Sequence, residues 1–241
     1  MRRIKITVAY DGGPFHGWQV QPALPTVQGL LEEILGGIEG VPVHVSGSGR
    51  TDAGVHALGQ VAAFTLVNPI PLENLRRAVN RLLPPAVRVL SAEEVDAAFH
   101  PRFEARAKTY EYRMFREEVC SPFEWPYVHH YPYRLDEDRM MQLARAFHGE
   151  HDFTRFAASD DRDAEGKSKV RTVFSSELCR PGPYLIYRVR GSGFLKHMVR
   201  NLVGTLIEAG KGNIADLDTL PAKSGPTAPA KGLFLVNVEY A

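Results

Sequence analysis

The amino-acid sequence predicts an α+β protein made of two ferredoxin-like α/β-sandwich halves with mixed, largely antiparallel sheets. Three observations carry that expectation. The first hundred or so residues follow the order strand, helix, two strands, helix, strand, which is the split βαβ pattern. The second half again mixes strands with two helices on one side of a sheet. Glycine- and proline-rich breakers punctuate both halves, with a boundary near His100-Pro101 that divides the chain into 1–101 and 102–241.

In the first half, Ile4, Ile6 and Val8 alternate with Lys5 and Thr7, the period-two pattern of a half-buried strand. Asp11-Gly12-Gly13-Pro14 ends it. Thr26 to Ile38 reads as a helix capped by Thr26, with Val27, Leu30, Leu31, Ile34, Leu35 and Ile38 on one apolar face. Val41 to Val45 is expected as a short strand, followed by the glycine-rich Ser46 to Gly54. Gln60 to Val67 has strand character, Leu72 to Leu83 is a second helix closed by Pro84-Pro85, and Val87 to Val95 is another strand.

In the second half, Lys108 to Phe115 alternates as a strand. Ser121 to Pro132 is a proline- and aromatic-rich loop, and Asp136 to Phe147 a helix. Ser159 to Lys169 is polar and highly charged, the composition of an exposed loop. Val170 to Leu178 and Tyr184 to Arg190 bracket Arg180-Pro181-Gly182-Pro183 as a hairpin. Phe194 to Ala209 is a helix stopped by Gly210, Pro221 to Pro229 a compact loop, and Leu233 to Val238 a last strand. The two halves share no sequence repeat, so structural duplication is inferred from element order alone.

Composition bounds the function without choosing it. The 241 residues are 44% hydrophobic and 24% charged, with a formal net charge of +1. That total neither supports nor excludes a polyanionic partner, because placement of charge decides the local field. Two distant cysteines, Cys120 and Cys179, make a disulfide framework unexpected and fit a reducing cytoplasm. No apolar run is long enough for a bilayer, and the start of the sequence lacks signal-peptide character.

The most unusual stretch is Ser46-Gly47-Ser48-Gly49-Arg50-Thr51-Asp52-Ala53-Gly54-Val55-His56. As a phosphate cradle it is poor: Asp52 stands where a dinucleotide fingerprint has its third glycine, and the segment Val61-Ala62-Ala63-Phe64 beyond it has strand character, not that of a helix. As a structural loop it is ordinary, with Asp52 capping a turn. As a reactive centre it would hold a carboxylate rigidly beside the basic Arg50. The loop alone leaves the last two readings open.

A resemblance across the chain bears on that choice. Gly49-Arg50-Thr51-Asp52-Ala53-Gly54-Val55-His56, followed by Gly59-Gln60-Val61, resembles the catalytic motif of the tRNA pseudouridine synthase A family. Tyr10-Asp11-Gly12 with Phe15-His16-Gly17-Trp18-Gln19 resembles the family's first strand and loop, and Thr26-Val27-Gln28-Gly29 the start of its first helix. Lys108-Thr109-Tyr110-Glu111-Tyr112 resembles its active-site tyrosine strand. Further blocks are His151-Asp152-Phe153 with Phe156, Gly193-Phe194-Leu195 with His197-Met198-Val199-Arg200-Asn201, and Ala228-Pro229-Ala230-Lys231-Gly232-Leu233. Arg116 to Arg134 and Ser159 to Lys169 match least.

The resemblance implies two RRM-like halves joined across a central cleft holding Asp52. It implies isomerisation of uridine to pseudouridine at positions 38, 39 and 40 of the tRNA anticodon stem-loop. The base leaves ribose C1′ through N1 and returns through C5, so no electrons leave and no group is imported. The chemistry requires neither redox cofactor nor metal, and one ionised carboxylate near C1′ suffices. By the resemblance, Asp52 either attacks C1′ or removes a proton from C2′. Arg200 would keep that carboxylate charged against desolvation. Arg50 would help extrude the target base or hold a phosphate. Tyr110 would stack on the uracil and assist proton removal at C5, with Phe194 and Leu233 lining the pocket. The family is homodimeric, which implies tRNA contacting both subunits.

Other constellations point less sharply. His148-Gly149-Glu150-His151 and His129-His130 lack the spacing of a zinc hydrolase, so no metal is expected. Arg102, Arg106, Lys108 and Arg113 interleave with Phe103, Tyr110 and Tyr112, and Lys167, Lys169 and Arg171 form a second basic group. Such residues suit a phosphate backbone with bases on aromatics, or simply a solvated sheet face. Two rivals stand beside the isomerase: a non-catalytic RNA-binding module, in which Asp52 is dispensable, and a nucleotide-binding oxidoreductase, which the defective glycine fingerprint disfavours.

Overall fold

The computed structural model describes residues 1–159, 166, 168–214 and 225–241. In chain order its elements are β1 (Arg2–Tyr10), α1 (Val27–Glu39), β2 (Ser46–Gly47), β3 (His56–Leu66), α2 (Leu72–Leu82), β4 (Val87–Val95) and β5 (Ala107–Phe115). Next come β6 (His129–His130), α3 (Glu137–Ala146), β7 (Gly149–Asp152), β8 (Val170–Cys179), β9 (Tyr184–Gly191), α4 (Met198–Gly210) and β10 (Leu233–Glu239). The α+β class predicted from the sequence is the class observed. The chain forms two compact units, Met1–Arg106 with Phe234–Ala241, and Ala107–Leu233.

In the first unit β1 runs antiparallel between β3 and β4, with Ile6 opposite Ala62 on one side and Ala92 on the other. The two-residue β2 pairs with β3 at the Ala62 and Ala63 positions, so β3 lies between β1 and β2 and splits the β1-α1-β2 crossover. β10 runs parallel to β3, Phe234 facing His56. Ile4, Ile6, Val8 and Tyr10 are buried on β1, as the alternation predicts. Ile6, Leu35, Phe64, Leu75, Val79 and Val89 surround one small cavity, which places α1 and α2 on the same face. Thr26 caps α1 by accepting from Gly29 N, and Gly40, at φ 83°, ends it in the left-handed conformation.

The second unit has the order β5-β9-β8-β7, all antiparallel, with β6 parallel to β5. β9 thus lies between β5 and β8, the same split arrangement that β1, β3 and β2 show. Tyr112 faces Tyr187 across β5 and β9, and both are fully buried. The Tyr187 hydroxyl meets Ser176 Oγ at 2.8 Å, and Ser176 Oγ donates to Ala144 O, tying β8 and β9 to α3. α4 is buried along most of its length, in keeping with its largely apolar sequence.

Several boundaries differ from the sequence prediction. Val41 to Val45 is not a strand: Gln28 Nε2 donates to Val45 O and Val45 N donates to Glu32 Oε1, so side chains of α1 take the groups a ladder would use. β3 begins at His56, before Gln60, because almost every residue along it is buried and periodicity is lost there. α4 begins at Met198, so Phe194 is not helical. His197, at φ 60°, breaks the backbone ahead of the first turn. β7 has no counterpart in the sequence prediction; Gly149, at φ 105°, turns the chain out of α3 and into it. Residues 160–165 and 167 of the predicted Ser159 to Lys169 loop, and 221–224 of the predicted Pro221 to Pro229 loop, lie outside the described residues.

Candidate active site

The Asp52 loop is fastened from several directions within the first unit. Ser48 N donates to Val61 O at 2.8 Å, and Ser48 Oγ to Gln60 Oε1 at 2.8 Å. Gln60 Nε2 donates to Gly49 O at 2.8 Å. Thr51 Oγ1 meets the Tyr10 hydroxyl at 2.8 Å, and Thr51 O accepts from Trp18 N at 3.1 Å. Beyond the carboxylate, Val55 N donates to Asp52 O, and Gly54 N to Phe15 O. Gly17, at φ 91°, has no room for a side chain, since a Cβ there would lie 2.5 Å from Thr51 O. Gly12 is tighter still, its ideal Cβ falling 2.1 Å from Val55 O.

Asp52 itself is half-buried and Arg50 exposed, Arg50 Nε donating to Gln19 Oε1 at 3.1 Å. His56 is buried. It stacks on Phe234 at 4.7 Å, accepts Gly12 N at Nδ1, and lies 3.1 Å from Asp11 Oδ1. Burial pushes the Tyr10 hydroxyl up to about 12, which widens the pH range over which it keeps its proton.

The second unit carries the other sequence-predicted residues. Tyr110 is buried on β5 opposite Val189 and meets Phe194 edge-to-face, ring centroids 5.1 Å apart. Phe194 also closes over Gly191, where a Cβ would lie 3.2 Å from its ring. Arg200 sits in the first turn of α4. Its Nε donates to Ala228 O at 2.8 Å, and Ala228 N donates to Arg200 O. Thr227 Oγ1 donates to Asn201 Oδ1, and Asn201 Nδ2 to Phe156 O, fixing the same stretch to the helix. Burial holds the Tyr112 hydroxyl far above the usual tyrosine range, opposed in part by the positive charge of Arg200. Leu233 is buried at the start of β10, after a short 3₁₀ turn at Ala230–Gly232 that packs on Tyr112.

Thus Arg50 and Asp52 share one clamped loop, and Tyr110 and Phe194 touch. The histidines singled out in the sequence have other occupations: His151 Nε2 meets His148 O, His130 Nε2 meets Glu117 O, and His129 packs edge-on to Tyr112. Lys167, of the second basic group, lies outside the described residues. Sequence reasoning does not single out Tyr10 or Ser48 as supports of the Asp52 loop, and Gln60 enters it only as part of the motif. Their partners are up to 50 positions away, and no local pattern announces such bonds.

Comparison with known proteins gives this geometry its setting. A family model described as tRNA pseudouridine synthase matches residues 6–104 and 143–241. A protein of Solibacter usitatus (strain Ellin6076) named tRNA pseudouridine synthase A is 80% identical over 240 residues, covering all of both chains. Proteins with the same name from Lacticaseibacillus casei (strain BL23) and Geobacter sp. (strain M21) are 45% and 44% identical. They are matched over 100% and 99% of their own lengths and over all of this chain. The chain belongs to the tRNA pseudouridine synthase family.

Proposed function

We propose that this chain is a tRNA pseudouridine synthase that isomerises uridines 38, 39 and 40 of the anticodon stem-loop, with Asp52 as its catalytic carboxylate. Family membership supports the reaction and the tRNA substrate. The observation that carries the choice of Asp52 is its half-buried position in a loop clamped on both sides, within the stretch that resembles the family's catalytic motif. A carboxylate that must act at C1′ or C2′ gains from a fixed backbone, because small misplacements of a reacting group lower rate steeply.

In this reading Arg200 keeps the carboxylate ionised beneath the substrate, and its bond to Ala228 O fixes the guanidinium for that role. Tyr110 stacks on the uracil and assists proton loss from C5. Phe194 and Leu233 line the pocket, and the exposed Arg50 helps extrude the base or holds a phosphate. The isomerisation conserves every atom and electron of the nucleotide, so it calls on no cofactor. The enzyme works as a cytoplasmic homodimer, with tRNA contacting both subunits. Among the described residues, no helix is long and apolar enough to cross a membrane.

The test uses unmodified tRNA tritiated at uridine C5, because C5 loses its hydrogen on becoming the glycosidic carbon. The wild-type protein is expected to release tritium from the anticodon arm without added metal or cofactor. Asp52→Asn is expected to release none while still binding tRNA. A fully active Asp52→Asn would remove Asp52 from the chemistry, and a folded, tRNA-binding wild type without release would point to a non-catalytic binding module.

A further inference from the structure

We propose that Gln60 is a positioning residue for this reaction, holding the Asp52 carboxylate in place through Gly49 and through the Tyr10–Thr51 hydroxyl pair. The inference rests on the reading that Asp52 is the catalytic carboxylate.

Gln60 is fully buried on β3, and its amide is spent on the loop and on the strand beside it. Oε1 accepts from Ser48 Oγ at 2.8 Å and from Val61 N at 3.2 Å. Nε2 donates to Gly49 O at 2.8 Å and makes a long 3.5 Å contact with the Tyr10 hydroxyl. Both acceptor positions and both donor positions are therefore used, which also fixes which side of the amide is oxygen. The Tyr10 hydroxyl, protonated at neutral pH, passes on to Thr51 Oγ1 at 2.8 Å. One buried amide thus restrains the chain at Ser48, at Gly49 and, through Tyr10, at Thr51. These are the residues leading into Asp52.

Apolar substitution here would remove the amide that holds the part-buried Gly49 O and that accepts from Ser48 Oγ, and the loop would shift to satisfy these groups elsewhere. The shift moves Asp52, and Arg50 of the same loop with it. The effect falls mainly on kcat, because the carboxylate acts on the reacting carbon, whereas the long exposed side chain of Arg50 can follow a small backbone shift and leave KM for tRNA little changed.

The experiment measures kcat and KM for tRNA, with melting temperatures, for wild type, Asp52→Asn, Gln60→Met, Gln60→Glu and Tyr10→Phe. Gln60→Met is expected to lose about tenfold or more in kcat with KM within about threefold. Tyr10→Phe, which removes one hydroxyl and keeps the ring, is expected to lose about threefold in kcat, and it decides the matter should Gln60→Met fail to fold. Gln60→Glu supplies the conservative rescue. A buried glutamic acid titrates high, and while protonated it donates to Gly49 O as the amide does. Its kcat is therefore expected near wild type at the acid end of the range. It should fall as pH rises and the carboxyl ionises, a limb absent from the wild-type profile, with KM flat throughout. Wild-type kcat in folded Gln60→Met or in Tyr10→Phe, a loss confined to KM, or a pH-independent Gln60→Glu would overturn the proposal. Asp52→Asn in the same assay separates the two ideas: if it is inactive and the Gln60 variants are not, only the positioning role fails.

Discussion

Asp52 is held by neighbours distant in sequence, and single atoms decide how freely it moves. The hydroxyl of Tyr10, the amide of Gln60 and the missing Cβ of Gly17 each act on a residue within three positions of it. The motif around Asp52 was readable as a resemblance, since its residues are contiguous. Its supports were not, because hydrogen bonds between β1, the loop and β3 arise only once the sheet has formed. A second residue-scale feature is His129, whose buried Nδ1 has no hydrogen-bond partner among the described residues. Burial, aided by the positive charges of Lys231 and His130, pushes its imidazole down to about 4. Between pH 6.5 and about 4 the unfolded chain therefore binds a proton that the folded chain does not. Stability is full above 6.5 and is lost as pH falls through that window. The ring is partly solvated, so the expected loss is on the order of 1–2 kcal/mol. Melting curves for wild type and His129→Phe from pH 7.5 to 4 check this: the variant should lose less stability across the window. Parallel losses would show that His129 does not report the titration.

At the scale of elements, the strands with clean alternation were legible, and the boundaries set by long-range bonds were not. β1 keeps one buried face and so advertises its period, and β5 does so through Tyr110, Tyr112 and Met114 although its ends are buried on the other face as well. β3 is covered almost throughout and hides its start. The segment at Val41 to Val45 has strand-like residues but gives its backbone groups to Gln28 and Glu32 of α1. The apolar run from Phe194 reads as helix, yet the left-handed His197 delays α4 until Met198. α4 then acts as a scaffold for the stretch 225–229. Gly204 lies against it so closely that a Cβ would fall 1.7 Å from Pro226 O, and Gly225 N donates to Thr205 Oγ1. Gly204→Ala is therefore expected to push this stretch away from the helix, weakening the bond between Arg200 Nε and Ala228 O. Overpacking of this kind costs about 1–3 kcal/mol. The variant should melt earlier and also lose kcat. Gly37→Ala is the control, since a Cβ at Gly37 would meet none of the described residues within 4 Å. If Gly204→Ala melts like wild type, the close approach is not constraining.

For the molecule as a whole, the sequence showed an α+β chain with two similar element orders, and the structure has that class, with β1, β3 and β2 and then β5, β9 and β8 in matching arrangements. The element order was legible because hydrophobic period is local. The assignment of β10 to the first unit was not, since it depends on parallel pairing with β3. The whole-molecule charge says less about partners than the family does: 29 basic against 28 acidic side chains leaves a net +1. Binding of a polyanion by such a chain must come from local concentration of basic residues, and its signature is the release of counterions from neutralised phosphates. The affinity for tRNA is therefore expected to fall steeply between about 50 and 200 mM salt, with a log–log slope steeper than about −2, corresponding to three or more phosphates. Asp52→Asn should bind with the same slope as wild type, because a carboxylate in the proposed role, acting on ribose carbons, neutralises no phosphate. Filter binding of labelled tRNA across a salt series measures both slopes. A flat response would mean that shape and stacking dominate over the backbone, and it would remove Arg50 as a phosphate contact while leaving base extrusion as its proposed part. A steep slope shared by both proteins, together with loss of tritium release in the variant alone, would separate recognition from chemistry in one chain. The net charge near zero would then reflect acidic residues placed away from the RNA, holding the total down without weakening the contact.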